Sequence, residues 1–184
     1  MHIIIFEKKV NQVKFKKCEK KKAVFFDRDG VLNYDTGYVH EIQSFKWVSG
    51  AKDAIKFLND LNYLVIVVTN QSGVSRGYYT EKHINKLHIW MNEQLKEKQA
   101  VINDFYYCTE LPGSLEEKES RRKPSPAMIN EAINKYSISK KNSFLIGDKK
   151  TDLIAAQNAQ IRGFLFEGGD LFDKIQKILK EFLI

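Results

Sequence analysis

The chain predicts an α/β fold, a doubly wound, Rossmann-like parallel sheet with helices on both faces. Three observations carry this. Short apolar runs without alternation, such as Ala23-Val24-Phe25-Phe26 and Leu64-Val65-Ile66-Val67-Val68, read as strands buried on both sides. Between such runs lie segments whose apolar residues recur at helical spacing. The two patterns alternate along the chain, which calls for crossover connections and therefore parallel strands.

Taken in order, the first strand is stopped by charge and glycine after Phe26. Ala51, Ala54, Ile55, Leu58 and Leu61 then mark a helix, with Ser49 as its expected N-cap before Gly50. The second strand follows at Leu64 to Val68. Thr80 can cap a helix carrying Ile84, Leu87, Met91 and Leu95 on one face, ahead of a strand Phe105-Tyr106-Tyr107-Cys108. A third helix starts after Ser125 with Pro126 in the favoured first position, and Met128, Ile129, Ala132, Ile133 and Tyr136 line it. Phe144-Leu145-Ile146, a helix near Asp152 to Asn158, a strand from Gly163 to Phe166 and a last helix through Leu171, Ile175, Ile178 and Leu179 complete the series.

At 184 residues the chain fits one such domain. The net charge is +7, with a pI near 9.2, but residues 1–22 hold eight lysines against two glutamates and the remainder is nearly neutral. We therefore expect a basic N-terminal extension over 1–21, a solvated lysine-rich face rather than a nucleic-acid site, and a single α/β domain over 22–184. Cys18 and Cys108 are the only cysteines, too few for a disulfide framework, and no apolar run approaches the roughly 20 residues that span a bilayer. The opening Ile3-Ile4-Ile5-Phe6 run is shorter than a secretory core of about 7–15 residues. The expectation is a cytoplasmic monomer with no membrane or nucleic-acid partner.

In doubly wound sheets ligands bind outside the carboxyl ends of the strands. Four polar groups fall there: Asp27-Arg28-Asp29-Gly30, Thr69-Asn70-Gln71-Ser72-Gly73, Arg122-Lys123-Pro124 and Gly147-Asp148-Lys149. Each suits one part of phosphoryl transfer, which is mostly positioning and neutralisation of spreading negative charge. Asp27 and Asp148 are hard oxygen ligands for Mg²⁺. A carboxylate such as Asp27 can attack phosphorus and split hydrolysis into two easier steps, while Asp29 can protonate the leaving oxygen and then activate water. Thr69 offers a hydroxyl and Lys123 a compact cation for the transferring oxygens. Gly30 and Gly73 would allow tight turns in those loops. A lone D-x-D is a weak signal, because loop aspartates commonly cap turns. Four clusters in the order carboxylates, hydroxyl, lysine, carboxylate are a strong one.

Asp27-x-Asp29-Gly30-Val31, Thr69, Lys123 and Gly147-Asp148-x-x-x-Asp152 resemble the four motifs of the haloacid dehalogenase superfamily of phosphatases, over residues 22 to about 168. Within it, Gly37-Tyr38-Val39, the stretch Thr69 to Tyr79 and Arg122-Lys123-Pro124 resemble the heptose-bisphosphate phosphatase branch. The resemblance implies a sheet with a small flap and no large cap domain. It implies a Mg²⁺-dependent hydrolase, with the metal on Asp27, Asp29 and Asp148, that removes one phosphate from a heptose bisphosphate through an aspartyl-phosphate, supplying activated heptose for lipopolysaccharide or a related surface glycan. It also implies substrate contacts from Asp35, Thr36, Gly37, Tyr38, Asn70, Gln71, Ser72, Arg122 and Lys149, and makes the partner a small phosphorylated sugar.

One stretch departs from that pattern. Members of the branch commonly hold a structural Zn²⁺ through Cys-x-His and a later Cys-x-Cys, whereas this chain runs Cys108-Thr109-Glu110 and Glu119-Ser120-Arg121. One thiolate cannot close a tetrahedral site, so zinc is expected to be absent and Cys108 to be a small buried residue at a strand end. His40, His83 and His88 lack partners at metal-ligand spacing and read as packing or surface residues. Phe45, Trp47 and Trp90 read as core or flap packing, while Tyr34 and Tyr38 could meet a sugar ring. The alternatives are a histidinol-phosphatase, disfavoured by the Ser72 to Tyr79 stretch, and a nucleic-acid 3′-end phosphatase, which should carry its basic residues around the site. A pseudo-phosphatase is disfavoured because all four catalytic side chains are present.

Overall fold

The computed structural model describes residues 20–114 and 119–182; most of the lysine-rich extension, with Cys18 and His2, lies outside them. Strands β1 (Lys22–Phe26), β2 (Tyr63–Asn70), β3 (Asp104–Cys108), β4 (Phe144–Gly147) and β5 (Arg162–Leu165) form one sheet in the order β3-β2-β1-β4-β5, all neighbours parallel. Helices α1 (Ala51–Asp60), α2 (Glu81–Lys96), α3 (Ala127–Tyr136), α4 (Lys150–Asn158) and α5 (Leu171–Phe182) supply the crossovers. Among the described residues, no helix is long and apolar enough to cross a membrane.

The pleat of β1 explains why its sequence shows no alternation. Val24 and Phe26 face the layer built by α1, α2 and α5, whereas Ala23 and Phe25 face α3 and α4. All four are fully buried, so truncating either phenylalanine would cost about 3–5 kcal/mol. Ile84, Leu87, Met91 and Leu95 are buried as the helical spacing of α2 predicts, and so are Met128, Ile129, Ala132 and Ile133 on α3.

Several boundaries differ from the sequence reading for local reasons. Ser49 does not cap α1; its hydroxyl donates to Asp170 Oδ2 at 2.7 Å, and Gly50 occupies the cap with φ +71. Leu61 falls beyond the last turn of α1, more than a third exposed. Helix α3 starts one residue later than expected, with Pro126 as its cap. Thr80 does cap α2, where its N–H donates to His83 Nδ1 at 3.1 Å. Strand β2 extends through Asn70 because Thr69 and Asn70 pair with Tyr107 and Cys108 of β3.

The register sets the site. Phe26 lies level with Val67 of β2 and Ile146 of β4, and the Asp27 N–H continues the pairing to the Ile146 carbonyl at 3.0 Å. Asp27, Thr69 and Asp148 therefore leave the same edge of three adjacent strands. Between β1 and α1 the chain forms a short flap holding only a 3-10 turn at Ile42–Ser44, and no inserted domain. Phe45, edge-on to both Trp47 and Trp90, anchors that flap in the core, as the aromatic reading expected.

Candidate active site

A cavity of about 790 Å³ opens at the carboxyl edge of the sheet, lined by residues of all four polar loops. At its floor Lys123, almost fully buried, forms ion pairs with Asp27 Oδ2 at 3.0 Å and Asp152 Oδ1 at 2.6 Å. Asn70 fixes this lysine from behind: its Oδ1 accepts from the Lys123 N–H at 3.0 Å and its Nδ2 donates to the Lys123 carbonyl at 3.1 Å. Asp152, in the first turn of α4, accepts from the Lys149 N–H at 3.0 Å, which turns its other oxygen toward Lys123.

Burial pushes the Asp27 carboxyl up to about 6, with Lys123 opposing the shift and Asp152 and Asp29 adding to it. A carboxyl at about 6 is still mostly ionised at neutral pH. Burial by itself would lower the Lys123 ammonium, but the two carboxylates beside it raise it above the ordinary lysine value.

Asp29 has a different environment. Its carboxylate accepts from Arg28 Nη2 at 2.8 Å, Asn33 Nδ2 at 2.9 Å and Gln71 Nε2 at 2.8 Å. Burial works upward on it, but Arg28, Asn33 and Gln71 together hold it below the usual carboxylate range. Two aspartates two positions apart are thus pushed in opposite directions, Asp27 up and Asp29 down.

The carboxylates that gather as a possible metal site are Asp27, Asp148 and Asp152, with ligand atoms within 4.8 Å of one another. The sequence-based set had Asp29 in place of Asp152; the side chain of Asp29 is instead drawn to Arg28, Asn33 and Gln71. Asp148 Oδ1 is buried with no hydrogen-bond partner, an orphaned hard oxygen that fits a small oxygen-seeking cation. Gly30 has φ +89, and a Cβ there would lie 2.4 Å from Asp148 Oδ2, so only glycine lets the loop after β1 approach this carboxylate. Gly73 is not in the left-handed region; its role is to make room for the Tyr79 ring.

Thr69 is buried, its hydroxyl accepting from Gln71 Nε2 at 3.1 Å. Asp35, Gly37, Tyr38, Asn70, Gln71, Ser72, Arg122 and Lys149 all line the cavity, while Thr36 is exposed off its wall. Lys149 lies 3.4 Å from Asp35 and 3.5 Å from Asp148. Tyr38 meets Tyr78 edge-on at 4.8 Å and His40 stacks on Tyr79 at 4.5 Å, closing the flap against the loop after β2. Tyr34 is exposed and is not among the lining residues.

Sequence reasoning missed three members of this site. Asp152 had a signal in the Gly-Asp-x-x-x-Asp spacing. Arg28 and Tyr79 lay within the sequence motifs but had no assigned role: Arg28 is fully buried, linking Asp29 to the Val39 carbonyl of the flap and to Gln71, which also accepts from the Tyr79 hydroxyl at 2.8 Å. His40 stacks on Tyr79, His83 pairs with Thr80 at the start of α2, and His88 is buried against Phe105 and lowered to about 3 by burial. Cys108 is buried at the end of β3, its thiol pushed up to about 11, mainly by burial.

This fold and these loops place the chain in the haloacid dehalogenase-like (HAD-like) hydrolase family, to which it belongs as a phosphatase. A HAD-hydrolase-like family model matches residues 120–174. The chain is 44% identical over 146 residues to D-glycero-beta-D-manno-heptose-1,7-bisphosphate 7-phosphatase of Haemophilus ducreyi, covering 77% of this chain and 80% of that one. It is 43% identical over 155 residues to the corresponding alpha-heptose phosphatase of Photorhabdus laumondii, covering 82% and 85%. The crystal structure of D,D-heptose 1.7-bisphosphate phosphatase from B. bronchiseptica, complexed with magnesium and phosphate, superposes with a TM-score of 0.77 at 26% identity, over 88% of this chain and 99% of that one.

Proposed function

We propose that this phosphatase removes the 7-phosphate of D-glycero-D-manno-heptose 1,7-bisphosphate, in the supply of activated heptose for lipopolysaccharide or a related surface glycan. The observation that carries this reading is Arg122. Its Nη1 donates to the Glu110 carbonyl at 3.0 Å, and among the described residues it has no carboxylate partner, although it lines the cavity beside Lys123. An arginine fork without a counter-ion next to the reacting centre suits a second, non-reacting phosphate.

In the proposed reaction the Asp27 carboxylate attacks phosphorus, forming an aspartyl-phosphate and releasing the sugar oxygen; Asp29, held ionised by Arg28, Asn33 and Gln71 in the free site, must take up a proton as substrate binds and passes it to that oxygen. Asp29 then takes a proton from water, which attacks phosphorus, breaks its bond to Asp27 and departs with the phosphoryl group as inorganic phosphate, leaving the Asp27 carboxylate free. Mg²⁺, held by Asp27, Asp148 and Asp152, would neutralise part of the phosphoryl charge. Thr69 and Lys123 hold the transferring oxygens, and the Asn70 clamp keeps the Lys123 main chain in place as charge moves.

The test is a panel of both anomers of the heptose bisphosphate, histidinol phosphate and a 3′-phosphorylated oligonucleotide, each with Mg²⁺ and with EDTA. Turnover should favour a heptose bisphosphate and vanish with EDTA. On that substrate Arg122→Ala should lose about 2–4 kcal/mol in kcat/KM, a far larger loss than on p-nitrophenyl phosphate. Equal losses on the two substrates, or preference for histidinol phosphate, would overturn the bisphosphate assignment.

Zinc should not be part of this enzyme. Glu110 Oε1 accepts from the Arg121 N–H at 3.1 Å, and its Oε2 accepts from the Ser120 hydroxyl, so hydrogen bonds tie the positions where further ligands would be needed. Elemental analysis of protein purified without chelator should find well under one zinc per chain, and Cys108→Ser should keep near-parental activity. Stoichiometric zinc that disappears in Cys108→Ser would contradict this.

A further inference from the structure

We propose that Glu110 is a positioning residue for Arg122, and that with Ser120 it sets the part of the cavity that discriminates a bisphosphate from a monophosphate. The inference rests on the reading of Arg122 given above and extends it to Glu110, which lies outside the cavity lining, and to Ser120, which belongs to it.

The geometry is a short relay. The Glu110 carboxylate accepts from the Ser120 hydroxyl and from the Arg121 N–H, the latter at 3.1 Å. The Ser120 oxygen accepts in turn from the Arg122 N–H at 3.0 Å, and the Glu110 carbonyl accepts from Arg122 Nη1 at 3.0 Å. Arg122 is therefore held at its guanidinium by the Glu110 carbonyl, twelve positions away, and at its N–H by Ser120, whose hydroxyl the Glu110 carboxylate fixes in turn. Arg121 turns outward, its Nε and Nη2 meeting the two Glu131 oxygens on α3 at 2.9 and 2.8 Å. The pair of arginines is thus sorted, one tied to a helix and the other presented to the cavity. Against the upward pull of burial, the Ser120 hydroxyl, the Arg121 N–H and the Cys108 thiol hold the Glu110 carboxyl below its ordinary value, so these bonds are made to an anion. A charge-assisted acceptor fixes its donors more firmly than a neutral one. A guanidinium fork captures a phosphate with two bonds only when its plane is correctly set, so a small error in its placement reaches the remote phosphate before the reacting one.

The experiment is a double-mutant cycle among Glu110→Ala, Ser120→Ala and Arg122→Ala, read as kcat and KM on the heptose bisphosphate and on p-nitrophenyl phosphate, with melting curves for each variant. Glu110→Ala should lower kcat/KM on the bisphosphate by about tenfold, with at least a fivefold smaller loss on the monophosphate. Added to Arg122→Ala, it should cause no further loss of discrimination, because its effect runs through that side chain. Ser120→Ala removes a single hydroxyl and should shift discrimination the same way, keeping the test open if Glu110→Ala does not fold. If Arg122→Ala shows no selective loss, the bisphosphate reading fails and the present inference with it. If Arg122→Ala is selective but Glu110→Ala and Ser120→Ala are not, or their losses add to that of Arg122→Ala, the positioning role alone is overturned.

Discussion

Asp27→Asn should lower kcat by roughly 10³-fold or more, because it removes the attacking carboxylate and one of three gathered metal ligands with a single oxygen-to-nitrogen change. The fold should survive. The folded-state pKa of Asp27 is about 6, above its ordinary value, so its carboxyl stabilises the metal-free protein at low pH. That contribution is lost as pH rises through about 6 and the buried group ionises. At pH 7–8 without added metal, the neutral amide should therefore leave the melting temperature equal to or higher than that of the parent. Steady-state kinetics and thermal melts side by side check both halves. Activity within tenfold of the parent would remove Asp27 from the nucleophile's role, and a collapsed melting curve would show that the loss is structural.

Lys123→Met should act on stability as well as on rate. Lys123 is the cation between two carboxylates, Asp27 and Asp152, and all three are nearly inaccessible to water. Removing one partner from a buried ionic group typically costs about 3–5 kcal/mol, because the charges left behind are unpaired. Without metal, the variant should unfold at markedly lower urea and regain part of the loss when Mg²⁺ is added to the carboxylate cluster. Turnover should stay far below that of the parent even with Mg²⁺ saturating, because the metal replaces charge but not the grip on the transferring oxygens. An unchanged urea midpoint in metal-free buffer would mean that the two aspartates do not depend on this lysine.

Much of this was legible in the sequence because it rests on local rules. Val24 to Phe26 and Leu64 to Val68 read as doubly buried strands, and the strand-end rule then placed Asp27, Thr69 and Asp148 along one edge. What could not be read depends on partners far along the chain. Arg28 looks like a solvent-facing residue, yet its burial is made possible by Asp29 beside it, the Val39 carbonyl 11 positions on and Gln71, 43 positions on. Asp152 was visible as part of a spaced motif, but its pairing with Lys123 depends on how α4 meets the loop before α3. Ser49 has the chemistry of an N-cap and is taken by Asp170, 121 positions away, a competition that no local window contains. Glu110 stood out in the sequence only as a missing zinc ligand, since the partners of its carboxylate, Ser120 and the Arg121 N–H, lie ten and eleven positions on.

The sheet order makes the backbone a ruler. Asp27, Thr69 and Asp148, the proposed nucleophile, phosphate-gripping hydroxyl and acidic ligand, sit at the ends of β1, β2 and β4, consecutive strands in space. Neighbouring strands are about 4.8 Å apart, so the three groups fall across a span of about 10 Å, the size of a phosphoryl group with a cation at its side. That spacing is enforced by main-chain hydrogen bonds, which no side-chain substitution alters. The flap and the loop carrying Glu110 and Arg122 sit outside the ruled interval and are fixed in large part by side chains. Divergence in which sugar is accepted can therefore accumulate in those loops while the distance scale of the chemistry stays constant.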